Sequence, residues 1–539
     1  MELPAVRYLG GIRKHKQIRF RGLNHNLGAG DGELFDMKNM TGDYYPLLAS
    51  RAPRYLYKKL TNPGGIFSWK KLCWVEDGQF YYDGEVKGAV LPGMKTFSAM
   101  GSNIMIMPDK CFYNVETDSF GSMEVTWTGQ KLTFRNGVLY EEEAKANCIQ
   151  AEGVNWADYF RVGDAIFING CTKVELNNKS DIVRAIDGDK LYFYEYAFML
   201  EGDEAYTEEG ELSISRTVPD MNYLCEINNR IWGCSDSTIY CCKLDDIFNW
   251  NIFDGLESDA WAITPTAPGK FTGCFAYGSY PIMFKEEHIY KVYGSLPSSF
   301  SPIGSATLGL AEGSAGSLAV AGETLFYLGQ NGIMAYSGGV PQPISSAFGL
   351  QRFKNAVAGS DGLKYYVSMQ DSSGAWGLYV YDTQKGVWHK EDETHVTHFA
   401  RAGGNLYFLN EEGEIWIISR GEELPADVIE EETVQWMAEF TDFTEEEPNK
   451  KGAGKIQIRL ELEENATAQV WLQFDSDGKW VPAGDSMGCG EKRSYYLPIV
   501  PRRCDHYSLR ITGTGVCRIY SISREVSPGS ELKSRYGRN

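Results

Sequence analysis

The chain has no run of 18 or more apolar residues among its 539, which removes a membrane-spanning helix. Its first residues, Met1-Glu-Leu-Pro-Ala-Val-Arg-Tyr8, lack a basic stretch followed by an apolar core, so no secretory signal is read there. Positive charge is scarce: 52 Lys and Arg stand against 72 Asp and Glu, a formal net charge of −20. Such a surface repels phosphate, which argues against a nucleic-acid-binding groove. It keeps a chain soluble, and it would also form a wall past which DNA slides without sticking. No Cys-x-x-Cys occurs among the twelve cysteines. Most of them lie in apolar strand patterns, where Cys behaves as a small hydrophobe. Adjacent Cys241 and Cys242 would point to opposite faces of a strand and cannot share one metal undistorted. Buried free thiols of a reducing cytoplasm are the expectation.

What is present is a repeat. Residues 324–336, from Thr324 to Tyr336, run apolar and aromatic to a turn at Asn331-Gly332, and a second apolar run leaves it. Asn-Gly takes the positive φ of a tight turn cheaply, so the stretch predicts a β-hairpin. The phrase recurs from Lys71 to Tyr82 and from Asn405 to Ile418, with looser copies at Asn103–Tyr113, Arg230–Tyr240, Pro281–Tyr290 and Lys364–Tyr381. About seven copies at a spacing of about 30–50 residues are the signature of propeller blades.

The expected fold class is therefore all-β: a seven-bladed β-propeller with an inserted small β-barrel domain and a C-terminal β-sandwich. Residues 1–63 form an N-terminal arm, part of which lends a strand to the last blade. Blades 1 and 2 occupy 64–121. The repeat stops over 122–218, where alternating strands with Gly-Asp and Asp-Gly turns suggest a small barrel inserted in a surface loop. Blades 3–7 occupy 219–421, followed by an acidic linker at 422–432. Residues 433–526 alternate as a sandwich does, and 527–539 form a polar, flexible tail. Deleting 433–539 is expected to leave a folded propeller.

Several short patterns suggest chemistry, and each has a plainer reading. Gly28-Ala-Gly30-Asp-Gly32 could cradle phosphate, but no helix pattern follows it. Gly484-Asp-Ser486-Met-Gly488 matches a nucleophile elbow, with His506 downstream; with no helix to support it, a surface loop is expected. His389, His395 and His398, with Glu391 and Asp392, could hold a metal only if a loop gathered them; a blade-connecting loop with solvated histidines is expected. Asp475-Ser-Asp477-Gly478 opens like a calcium loop but lacks its later ligands, and reads as a hairpin turn. Trp250, Trp261 and Trp376 could stack on sugars, the mark of a carbohydrate-binding or glycan-cleaving propeller, which is the alternative reading. No paired carboxylates stand out for a glycosidase. Lys14, Lys16, Arg19 and Arg21 form one basic patch and Arg502-Arg503 another, both better matched to an acidic protein surface than to nucleic acid. No catalytic residue, cofactor or metal site is expected, and no enzyme activity.

Phe20-Arg-Gly-Leu-Asn24 and Asn39-Met-Thr-Gly-Asp-Tyr-Tyr-Pro46 resemble the N-terminal arm of bacteriophage virion propeller proteins. Pro219–Cys234 and Phe284–Pro297 are similar to blades of that group, and Val500–Gly513 to its C-terminal sandwich. The group includes tail-nozzle, packaged-DNA-stabilising propellers of short-tailed phages and related tail or neck proteins. The resemblance implies a virion structural protein, repeated in a symmetric ring on the tail or head–tail neck. Its partners would be further copies of itself and neighbouring tail, portal or adaptor proteins, with DNA passing without sequence-specific binding and no membrane contact. The 122–218 insertion is not in every member of that group.

Overall fold

The computed structural model describes residues 11–26, 30, 32–138, 145–200, 205–446, 450–488, 490–500 and 502–528. Part of the Gly28–Gly32 cluster, Cys489 and the tail from 529 lie outside them. The described chain is all-β, with short 3₁₀ turns as its only helical pieces. No helix is long and apolar enough to cross a membrane.

The repeat folds as short antiparallel meanders. Six four-stranded sheets span 63–89, 96–122, 223–263, 273–306, 319–343 and 353–390. A seventh takes three strands from 396–419 and its fourth, Tyr55–Lys59, from the arm. Within a sheet, the inner strands are buried on both faces: Thr324–Gly329 is covered from Leu325 to Gly329, and Arg230–Cys234 and Asn405–Asn410 along their whole length. That explains why these strands read as apolar runs, whereas alternation marks a sheet with one wet face. The first strand of a sheet lies beside the first strand of the next, as at 353–360 against 396–402 and at 223–227 against 273–277.

The chain divides into two compact units, Leu60–Ala315 and the remainder, Met1–Lys59 with Gly316–Asn539. The first holds four of the small sheets and the 122–218 insertion. In the insertion one seven-stranded sheet is built on two long strands, Val125–Val138 and Tyr206–Arg216. Its two outermost members, Ser180–Ile182 and Ala185–Asp187, are consecutive pieces of one bent stretch that pairs with Ala165–Asn169 on one side and Lys190–Tyr194 on the other. Phe134, Ile149, Ile168, Leu191, Phe193 and Ile214 form its buried apolar cluster.

The second unit holds the other three small sheets and a sandwich. The sandwich pairs a five-stranded sheet with a seven-stranded one around Ile456, Ile458, Leu472, Leu509, Ile511 and Ile522. The alternation seen from 456 to 511 in the sequence becomes its strands. The arm joins it as well. Arg13–Gln17 and Leu48–Ser50 pair with Cys517–Pro528, and Leu34–Lys38 pairs with Gln435–Phe440. Phe20, Leu23, Leu34, Met37 and Leu48 are buried in the apolar cluster that runs from the sandwich into the small sheets at 319–343 and 353–390. The arm therefore does two jobs: it lends a strand to the last small sheet, as the sequence predicts, and it staples the sandwich. The 422–432 stretch is also partly built in, since Ile429–Glu430 pairs with Tyr55-Leu56 as a fifth strand there.

Candidate functional site

The most elaborate polar site is the junction where the arm passes the small sheet at 353–390. Phe20 packs 5.9 Å from Phe440, and the Leu23 N–H donates to the Trp388 carbonyl at 2.8 Å. Between them Gly22 has φ of +82°, and a Cβ there would lie 2.4 Å from the Trp388 oxygen. Only glycine lets the backbones pass that closely. Asn39, at φ of +51°, accepts from Arg51 Nε at 2.8 Å and donates to the Gln435 carbonyl at 2.8 Å. The residues that carry the arm's resemblance thus seat the arm against its own unit.

Two buried arginines hold the junction electrostatically. Arg54 donates to Glu391 at 2.6 Å and to Asp392 at 2.8 Å, and lies 5.4 Å over the Phe408 ring. Arg51 forks onto Glu431 at 2.7 and 3.0 Å and has its Nε 3.7 Å from Glu391. Burial works against the Arg54 charge, but Glu391 and Asp392 outweigh it and raise its pKa. Burial likewise pushes Asp392 and Glu431 upward, and their arginine partners bring both below the usual carboxylate range. The arrangement clamps arm, small sheet and the 429–431 stretch. It holds no nucleophile.

The expectation of a blade-connecting loop with solvated histidines holds for His395, which lies half-buried between the strands Val387–Lys390 and Val396–Ala402, but not for His389 or His398. His389 is buried in Val387–Lys390, beside Gly42, whose Cβ position lies 2.8 Å from its Nε2. Burial, helped by nearby Lys364 and Lys385 and opposed by Asp43 and Asp382, lowers its pKa to about 4. His395 stacks on Trp376 at 3.6 Å and meets Glu411 at 2.8 Å. His398 lies in the strand Val396–Ala402. With Glu391 and Asp392 committed to Arg54, the five residues do not converge. Among the described residues no group of three or more His, Cys, Asp or Glu could hold a metal.

Ser486 is not in a surface loop. It lies in Val481–Met487, the edge strand of the five-stranded sheet, opposite Ala468. Gly484, at φ of +154°, sits at the bulge facing Val470 and Trp471, so the glycine that suggested a turn marks a bulge. His506 Nε2 is 2.7 Å from Ser476 Oγ, its nearest serine hydroxyl partner. Asp475 and Ser476, both at positive φ, turn the chain between Thr467–Phe474 and that edge strand, with the Asp475 carboxylate accepting from the Asp505 N–H at 2.6 Å. Trp250 is buried with its indole N–H on the Ile247 carbonyl at 2.8 Å, and Trp261 packs edge-on to Trp232 and Phe300. With Trp376 stacked on His395, the three tryptophans form no common platform.

The described cysteines are free thiols, and all but Cys111 are buried. Cys241 and Cys242 belong to different apolar clusters, one on each side of their strand. Burial pushes the Cys242 thiol up to about 12, which leaves it protonated and inert at neutral pH. Arg51 and Arg54 were missed because an arginine in an arm looks like any surface cation. The one hint was the Glu430-Glu-Glu432 run, whose middle residue, Glu431, is the counter-charge of Arg51.

No protein-family model and no curated protein matches the chain. Among solved structures it is similar to U3-55K, at 7% identity and a TM-score of 0.34, covering 68% of this chain and 98% of that one. It is also similar to BamB from Moraxella catarrhalis, at 9% identity and 0.26, covering 61% and 95%. An exo-β-1,3-galactanase from Phanerochaete chrysosporium shares 10% identity at 0.22, covering 56% and 94%. TM-scores this low carry no argument about chemistry.

Proposed function

We propose that the chain is a ring-forming structural component of a bacteriophage virion, stationed on the tail or the head–tail neck. In this reading the seven small sheets are the blades of one propeller. The insertion, as a small barrel, and the arm-stapled sandwich are the modules that grip neighbouring copies and tail, portal or adaptor proteins. DNA passes without sequence-specific binding. The chain catalyses nothing, and its polar clusters serve packing and assembly. The observation that carries the reading is the arm. The stretches that resemble virion propeller arms, Phe20–Asn24 and Asn39–Pro46, are the ones that seat Phe20, Gly22 and Asn39 in the junction. The resemblance therefore falls on residues with a structural task.

Mass spectrometry of purified virions tests it. The full-length chain is expected there in a fixed, symmetric copy number, and its absence would overturn the reading. Deleting 433–539 is not the right perturbation, contrary to the expectation from sequence. It would strip the partners of arm strands Arg13–Gln17, Leu34–Lys38 and Leu48–Ser50 and expose Leu34, Met37 and Leu48.

A further inference from the structure

The outward face of the larger sandwich sheet carries charge opposite to that of the chain as a whole. In Lys451–Leu462, Ile456, Ile458 and Leu460 are buried, as are Ile522, Arg524 and Val526 on the paired strand. Their alternates face outward. The register sets Lys14 beside Glu525 and Glu525 beside Lys455; Lys16 beside Ser523 and Ser523 beside Gln457. It sets Arg459 beside Ser494, Glu461 between Arg518 and Lys492, and Arg503 beside Gly452. Lys14, Lys16, Lys455, Arg459, Lys492 and Arg518 thus share a face with Glu461 and Glu525, six cations against two carboxylates, a surplus of four, and Arg503 lies on the same face with a partner of its own. Glu525 meets Lys14 at 3.1 Å and Glu461 accepts from Arg518 at 2.8 Å. Lys455 and Lys492 lie over Tyr496 and Tyr520 at 4.2 and 4.0 Å, which orders them in advance.

The same chain carries the complement. In 422–432, Glu422, Glu423, Asp427, Glu430 and Glu432 are exposed, and none makes an ion pair with a described residue. Ile429–Glu430 is the outermost strand of its sheet, so its free edge is open. Five unmatched carboxylates thus stand against a surplus of four cations on a different surface.

We propose that this basic sheet face docks on the 422–432 stretch of a second copy. The contact joins two different surfaces, so it runs head to tail and can close a ring. It names the partner contact of the ring reading and rests on that reading. Nucleic acid fits the face less well. A lysine already occupies one ring face of Tyr496 and of Tyr520, and the chain's charge of −20 opposes a polyanion.

The test uses the full chain, mixed as isotope-labelled and unlabelled protein and coupled with a zero-length carbodiimide at low salt. Mixed-isotope links from Lys14, Lys16, Lys455 or Lys492 to 422–432 are expected, and they should fade as salt rises to about 0.5 M. Lys455→Glu with Arg459→Glu should cut their yield at least about tenfold, and so should Glu430→Lys with Glu432→Lys, both sets being exposed. Combining the two sets should restore the links. Links within single copies, links elsewhere, or no rescue would overturn the proposal. So would binding of a duplex DNA oligonucleotide that the basic-face variant loses. Self-association that survives both reversals removes this contact and leaves the ring standing. Absence from virions removes the ring and leaves a measured contact standing.

Discussion

Replacing Arg54 by alanine should destabilise the unit of 1–59 and 316–539 by about 3 kcal/mol at pH 7, because removing one partner of a buried ion pair leaves the other charge unmatched. The magnitude follows from the geometry. The Arg54 side chain is 7% exposed, and its partners Glu391 and Asp392 are 10% and 15% exposed. Both carboxylates would lose their closest cation, but Glu391 keeps Arg51 at 3.7 Å, which holds the cost at the lower end of the usual range of about 3–5 kcal/mol. Asp392 has a lowered pKa in the folded chain. Its contribution is therefore present above its unfolded value of about 3.9 and is lost as pH falls through the folded value. In the variant that contribution is gone, and protonation relieves the stranded Asp392. The gap between wild type and Arg54→Ala should accordingly narrow as pH falls from 7 towards about 4. Trp376, Trp388 and Trp416 lie in the same unit and report its unfolding by fluorescence. A chain of this size need not unfold in two states, so the transition reported by these residues is the one to compare. A midpoint lowered by about 5 °C is expected. A change below about 1 kcal/mol, as for a surface pair, or a deficit unchanged at acid pH would refute the reasoning.

The imidazole of His389 should titrate near about 4 by NMR. Its folded pKa lies below the unfolded value of about 6.5, so stability should fall as pH drops from about 6.5 to about 4, by up to about 3 kcal/mol, and His389→Gln should flatten that slope; a titration near 6.5 would sink this. Ser486→Ala should leave fluorophosphonate labelling at background, because Ser486 is a strand residue with His506 engaged elsewhere; labelling of the wild type that the substitution abolishes would show a nucleophile. Cys73, Cys234, Cys241 and Cys517, all buried, should resist iodoacetamide until denaturant is added, as read by peptide mass spectrometry; rapid labelling in the folded chain would contradict their burial. Gly22→Ala should destabilise the junction by more than about 1 kcal/mol, since positive φ and a 2.4 Å approach both oppose a side chain; unchanged thermal unfolding would contradict it.

The sequence is most informative where its signal is local. Asn331-Gly332 and its relatives announced hairpins, and the alternation of Ile456–Leu462 and Ala468–Phe474 announced strands with one buried face. Local signals misled where the same residue serves two geometries. Gly484 suggested a loop and is a bulge in an edge strand. His389 looked like a loop histidine and is buried, because its strand is covered by the arm, hundreds of residues away in sequence.

The sequence alone determined that the chain is all-β, that its strands come in short repeated hairpins, and that an insertion and a C-terminal module interrupt and extend the repeat. Turn chemistry and hydrophobic period act over a few residues, so they survive in a linear reading. Only the tertiary structure decided where the arm goes, which carboxylates Arg51 and Arg54 neutralise, and that Lys14 and Lys16 share a sheet face with Lys455, Arg459 and Arg503. Those outcomes depend on strand register between segments hundreds of residues apart. Shifting one strand by a single residue exchanges its two faces, and nothing within a segment states the register of its distant partner.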